Sequence, residues 1–193
     1  RIEHKSFRKV FAPNDEKIIM HVSNFRKVKR IEDIIDAFKI IRKQVPAKLM
    51  LVGDGPERQS IAAHARRVKI CDDVKFLGKQ DAVEELLSIS DLFFLPSQHE
   101  SFGLSALEAM ACEVPVISSN IGGLPEVNLE GQTGYLLDVG DVEGMAAKAV
   151  SILTNPEKLA RFRAEASAQA KRFSKSNIIN EYEALYQSLL VHK

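Results

Sequence analysis

The sequence predicts an α/β domain built on a parallel, doubly wound sheet of about six strands. Three observations carry that prediction. Short apolar runs recur along the chain, each the length of one buried strand and none approaching the ~18 residues of a membrane span. Segments with apolar residues at helical spacing separate these runs. The two signals alternate, which is the pattern of crossovers between parallel strands and not of hairpins.

KIIMHVS (residues 17–23) is almost continuously apolar, as expected of a strand covered on both faces. Ile31, Ile34, Ile35, Phe38 and Ile41 then recur at helical spacing as far as Pro46. AKLMLVG (47–53) is the second buried strand, closed by the breaker-rich GDGP at 53–56. A helix is expected from Glu57 to Lys69, with Ile61, Ala65 and Val68 on one face. VKFLG (74–78) is the third strand, and Val83, Leu86 and Leu87 mark the next helix. DLFFLPS (91–97) is the fourth strand, and LSALEAMAC (104–112) is helical by propensity. PVISS (115–119) and TGYLLDV (133–139) complete the strands.

Three helices close the chain. The first carries Val142, Met145, Ala146, Ala149, Ile152 and Leu153; the second opens at the N-cap-like Asn155-Pro156 pair. The third carries Ile178, Tyr182, Leu185 and Leu189. Residues 1–16 show no clear element and read as a linker, and 17–172 read as the domain itself. Residues 173–193 form a final helix beyond the sheet, available to dock elsewhere.

The 193 residues fit one domain, and a hydrophobic content of 45% is enough for a sizeable core. Lys and Arg number 27 against 26 Asp and Glu, so no overall charge favours nucleic acid or an anionic membrane. Cys71 and Cys112 lack CxxC spacing and are expected to be buried thiols of a reducing cytoplasm. No signal-peptide pattern occurs, so a cytoplasmic protein is expected. The chain starts at Arg1 without an initiator Met, so an upstream part is also expected.

In an open parallel sheet, ligands bind outside the carboxyl ends of the strands. The most informative segment, Ser97 to Val127, begins where the fourth strand ends. His99, Glu100 and Ser101 fall in a loop, and Gly103 opens the helix that carries Glu108. A helix start with free N–H groups suits a phosphate, and a glycine there lets it approach the backbone. Glu100 and Glu108 can accept from sugar or ribose hydroxyls. Taken singly, either glutamate is more often a favourable charge near a helix start or part of a solvated face. Glu108, however, is the one charge in a helix that is apolar almost all round, and a buried carboxylate needs a partner.

The second cluster, SNFRKVKR (23–30), follows the first strand and places Asn24, Arg26, Lys27, Lys29 and Arg30 at the same sheet edge. Cations at a helix start oppose its dipole, which points to an anionic ligand; a solvated basic turn is the equally weighted alternative. GDGP is no dinucleotide fingerprint and reads as a tight turn. Gly122-Gly123 forms a turn that lines the same cleft. His99 is a loop histidine with no assigned role, and His4, His21, His64 and His192 have no metal-ligand spacing. No metal or cofactor is expected.

Glu100, seven intervening residues and Glu108, within ESFGLSALEAMACEVPVISSNIGGLPEV, resemble the E-x7-E signature of family 4 retaining glycosyltransferases. The resemblance runs from about residue 17 to the end. It implies the GT-B fold, two Rossmann-like domains of which the C-terminal one holds the nucleotide-sugar donor. It also implies that the last helix crosses toward the N-terminal domain.

By the same resemblance, Glu100 contacts donor-sugar hydroxyls and Glu108 the ribose. The amides of Phe102, Gly103 and Leu104 serve the sugar and diphosphate, Lys29 matches the phosphate-binding lysine, and the backbone of Leu77 and Gly78 meets the base. The family usually has Arg where this chain has Asn24; Arg26, two residues on, is the candidate to replace its charge. SNFRKVKR is similar to the branch of the family that moves N-acetylglucosamine from UDP-N-acetylglucosamine to L-malate in bacillithiol biosynthesis. The partners implied are a UDP-sugar donor and a small acceptor held mainly by an N-terminal domain, without which the chain is expected to be inactive. A homo-oligomer is compatible with this. A nucleotide-sugar epimerase of the same fold and a non-catalytic nucleotide-binding module are the rival readings.

Overall fold

The computed structural model describes residues 5–191. The strands are β1 (Lys17–Val22), β2 (Ala47–Val52), β3 (Val74–Gly78), β4 (Leu92–Leu95), β5 (Val116–Ser119) and β6 (Gly134–Leu137). They form one sheet in the order β3-β2-β1-β4-β5-β6, and every pairing is parallel. The helices are α1 (Lys5–Phe11), α2 (Ile31–Ile41), α3 (Arg58–Arg67), α4 (Val83–Ser88), α5 (Leu104–Ala111), α6 (Leu124–Val127), α7 (Val142–Leu153), α8 (Pro156–Arg172) and α9 (Lys175–Val191). The chain winds outward from β1 to β3, then returns to β4 and winds the other way. The order therefore reverses between β1 and β4.

Side chains alternate across each strand, so the sheet feeds two cores. Ile19, Leu49, Leu51, Leu92 and Phe94 pack with α2, α3 and α7 on one face. Ile18, Met20, Met50, Phe93 and Leu95 pack with α4, α5 and α6 on the other. The helix α8 serves both, with Phe162 in the first core and Ala166 in the second. Its start is as the sequence indicates: Asn155 Oδ1 accepts the Lys158 N–H at 2.9 Å, with Pro156 in the first turn.

Two expectations are corrected here. Residues 1–16 are not without an element, because Lys5–Phe11 is helical. That helix is too short to show a periodicity and is anchored by tertiary contacts. Phe7 and Phe11 meet edge to face at 5.4 Å and pack against the second core. Arg8 donates to the carbonyls of Ile89 and Glu16 and pairs with Asp91 at 2.7 Å. Asp91 also accepts from Arg163 at 2.7 Å and from the Ile18 N–H at 2.9 Å, so one carboxylate ties α1 and α8 to the start of β1.

The cysteines are also not buried as expected: Cys71 is exposed and Cys112 half-buried. Cys71 opens a 3₁₀ turn (Cys71–Asp73) at the rim ahead of β3, where its sequence neighbours cannot cover it. Cys112 caps α5, where partial burial and then the nearby Glu84 push its thiol pKa up.

Candidate functional site

The reversal of strand order opens a crevice at the carboxyl ends of β1 and β4, the usual ligand position in such sheets. The loop after β1 runs through a 3₁₀ turn, Lys27–Lys29, to Arg30, whose left-handed backbone (φ 50°, ψ 44°) starts α2. The loop after β4 runs from Pro96 to Gly103. The two are joined directly. Lys29 Nζ lies 2.6 Å from Glu100 Oε2, and Ser97 Oγ donates to the same oxygen at 3.3 Å. The Gln98 N–H donates to the Val28 carbonyl at 2.7 Å. The Lys29 and Glu100 side chains are 18% and 17% exposed, so the pair is covered yet reachable.

The helix α5 points its N-terminus at this loop. Gly103 holds φ 91°, which places it among the conformations that side chains rarely adopt, and no side chain caps the helix. The free N–H groups and the dipole of the first turn are thus available to an anion. The turn after β5 presses in from the other side: a Cβ on Gly122 would stand 1.9 Å from the Glu100 carbonyl oxygen. One on Gly123 would stand 2.4 Å from that of Ser101, whose carbonyl accepts the Gly123 N–H at 3.2 Å. This turn lines the same cleft because only glycines permit so close an approach.

Glu108 is exposed, which corrects the expectation of a buried carboxylate in a helix apolar all round. The helix α5 buries Ala106, Ala109 and Met110 and leaves Leu104 65% exposed. Leu104 and Glu108, four residues apart, therefore share the outward face that continues from the helix start. Composition hid this because the apolar residues of α5 do not all point inward.

Asn24 and Arg26 are exposed on the loop after β1. Arg26, Lys27 and Arg30 border a cavity of ≈ 230 Å³ with Glu32, Asp33 and Glu57, and Arg30 pairs with Asp33 at 2.6 Å. The basic cluster thus divides: Lys29 pairs with Glu100 and Arg30 with Asp33, while Arg26 and Lys27 border the cavity.

Leu77 and Gly78 end the edge strand β3, two places from β1. Their carbonyls already accept from Gln80 at 2.6 Å and from the Gly53 N–H at 2.8 Å. Phe102 turns its ring onto Phe173, 5.7 Å between centroids. GDGP is a structural turn, bonded to the first loop through Phe25 N–H to Asp54 O and Glu57 N–H to Phe25 O, both at 3.0 Å. His99 is exposed in its loop, His64 pairs with Asp36 at 2.7 Å, and His4 and His192 lie outside the described residues.

Sequence reasoning missed Ser97 and His21. His21 is fully buried at the end of β1, and its pKa is lowered to about 4. Burial is the first cause and Lys29 adds to it; the Phe94 carbonyl and Glu100 oppose it. The signal was there: His21 interrupts an otherwise apolar strand. Among the described residues, no group of three or more His, Cys, Asp or Glu could hold a metal ion. No helix among them is long and apolar enough to cross a membrane.

A two-way wound parallel sheet with a basic–acidic pair and an open helix N-terminus at its reversal point is the Rossmann-like architecture found in GT-B glycosyltransferases. The chain belongs to the glycosyl transferases group 1, whose family model matches residues 3–169. It is 49% identical over 177 residues to the N-acetyl-alpha-D-glucosaminyl L-malate synthase of Bacillus anthracis, covering 91% of this chain and 46% of that protein. It is 36% identical over 154 residues to a glycogen synthase of Mycobacterium tuberculosis, covering 78% of this chain and 37% of that one. The chain therefore spans less than half the length of these curated relatives. Among solved structures, Anabaena HepE in complex with UDP matches with TM-score 0.86 at 26% identity, over 95% of this chain and 52% of that one. Staphylococcus aureus TarM matches with TM-score 0.82 at 26% identity, over 89% of this chain and 35% of that one.

Proposed function

We propose that this chain is the donor-binding half of a retaining glycosyltransferase that moves N-acetylglucosamine from UDP-N-acetylglucosamine to L-malate, a step of bacillithiol biosynthesis. The observation that carries the reading is the Lys29–Glu100 pair at the mouth of the β1–β4 crevice, beside the uncapped start of α5. The similarity to the L-malate synthase supports the choice of sugar and acceptor.

In this reading the diphosphate lies against Lys29 and the first N–H groups of α5, from Gly103 and Leu104 with the Phe102 amide beside them. Arg26 adds charge where Asn24 has none. Glu100 orients the sugar hydroxyls, Glu108 holds the ribose, and the backbone at Leu77 and Gly78 meets the base. Retention with no protein nucleophile requires the new bond to form on the face that the UDP leaves. The chain then contributes positive charge for the departing diphosphate, fixed before reaction begins. It also holds the sugar in place. The acceptor binds mainly to a second domain, toward which α9 turns Tyr182, Leu185, Tyr186 and Leu189, each more than half exposed. The protein acts in the cytoplasm, and this half alone does not transfer sugar.

The test incubates the full-length protein with UDP-N-acetylglucosamine and L-malate and reads the product by NMR. An α-linked glycosyl malate is expected. A converted donor sugar means an epimerase, and binding without either product means a nucleotide-binding module. Robust transfer by the 193-residue chain alone would refute the two-domain reading.

A further inference from the structure

His21 stands on the strand that leads into the loop carrying Lys29, fully buried. Backbone pairing between β1 and β4 covers Ile19 with Leu92 and Met20 with Phe93, and then stops. One residue further on, a side chain joins the strands instead: His21 Nδ1 lies 2.8 Å from the Phe94 carbonyl oxygen. A carbonyl only accepts, so Nδ1 carries the proton; burial keeps the ring neutral, which leaves Nε2 as the acceptor. Nε2 lies 2.7 Å from Ser23 Oγ, which therefore donates to it. In the neutral ring both nitrogens are thus used.

The strands held by this ring continue into the two halves of the crevice. Ser23 begins the loop that carries Lys29. Phe94 lies three residues before Ser97, which donates to Glu100. The other ties between the loops, Gln98 to Val28 and Lys29 to Glu100, lie further along both loops. His21 is thus the polar link at the base of the crevice. A planar ring bonded at both nitrogens fixes a spacing that an apolar side chain there could not.

We propose that His21 is a positioning residue for sugar transfer: its ring sets the spacing of the carboxyl ends of β1 and β4, and through them that of Lys29 and Glu100. The role rests on the transferase reading above. It separates His21 from an ordinary core residue, which would hold the fold without affecting turnover of the folded protein.

Three variants of the full-length protein test this: His21→Asn, His21→Gln and His21→Leu. Asn places its amide near the position of Nδ1 and keeps the bond to Phe94. Gln reaches the position of Nε2 instead, and Leu keeps neither. The readouts are kcat and donor KM with UDP-N-acetylglucosamine and L-malate, per folded protein, and Tm. Asn is expected to keep kcat within about threefold, while Gln and Leu lose about tenfold or more, as misplaced reacting groups do. In both, kcat should fall by a larger factor than donor KM rises. Gln equal to Asn, or losses confined to Tm with kcat and KM unchanged, overturns the proposal. Should the Leu variant not fold, the Asn–Gln comparison decides alone. A wild-type protein that makes no glycosyl malate sinks the functional reading, and the role of His21 in transfer with it.

Discussion

The ammonium of Lys29 lies 2.6 Å from the carboxylate of Glu100, across the point where the strand order of the sheet reverses. Without a ligand the two groups neutralise each other. A diphosphate that takes Lys29 as its partner therefore competes with Glu100 for the same ammonium. Changing Glu100 to Gln removes the competing charge and leaves Lys29 free to meet phosphate. UDP binding to the Glu100→Gln protein should tighten by a few-fold, in line with the ~1 kcal/mol of a partly exposed ion pair. Transfer should fall in the same variant, because the sugar loses its charged acceptor. Calorimetry with UDP checks the first half and turnover the second; weaker UDP binding in the variant would refute the competition.

Removing Lys29 should act on the phosphates alone. Lys29→Ala is expected to weaken UDP by roughly 1.5–3 kcal/mol, the range for hydrogen bonds to charged groups. Uridine, which lacks the diphosphate, should bind both forms equally. Equal losses for uridine and UDP would show that Lys29 does not touch phosphate.

Glu108 stands on the exposed face of α5 with Leu104. Glu108→Gln should therefore weaken UDP and uridine alike, by roughly tenfold, because the ribose is common to both. The fold should not suffer, since the side chain is exposed. Unchanged uridine affinity would remove Glu108 from the ribose.

His21 should make stability depend on pH. Its folded pKa is about 4 against an ordinary 6.5, so the unfolded chain binds the extra proton between those values. Stability then falls as pH drops from 6.5 toward 4, by up to roughly 3 kcal/mol, and is independent of this group above 6.5. Denaturant titrations of the wild type and His21→Asn across that window check it. The two should run parallel above the window and converge below it, and parallel curves throughout would refute the burial argument.

Asp91 sits just before β4, at the end of the sheet opposite the crevice. Asp91→Ala leaves the Arg8 and Arg163 guanidinium groups without their shared carboxylate. A loss of roughly 3 kcal/mol is expected, the lower end for breaking a buried pair, because Arg8 keeps the Ile89 and Glu16 carbonyls. UDP affinity should stay within about threefold. A larger change would mean that the two ends of the sheet are coupled.

The amino-acid sequence by itself determined the six parallel strands, their alternation with helices and the edge of the sheet at which the candidate residues Lys29 and Glu100 lie. These follow from local signals: apolar runs the length of a strand, apolar residues at helical spacing, and loops that follow strand ends. The E-x7-E spacing likewise lies within one loop and one helix. Tertiary structure decided which side chains meet. Lys29 and Glu100 are 71 residues apart and touch only because β1 and β4 are neighbours in the sheet. The exposure of Glu108 depends on which face of α5 the second core covers, and apolar composition cannot report that. The helix α1 is held through Arg8, which reaches Ile89 and Asp91 on a distant segment, and through Phe7 and Phe11, which pack against the second core, so no local pattern marks it. His21 shows the boundary most clearly: its place in a buried strand was legible, but the Phe94 carbonyl that makes it a link between strands was not. Local patterns fix backbone periodicity over a few turns, whereas a polar partner is chosen by strand order and register across the whole sheet.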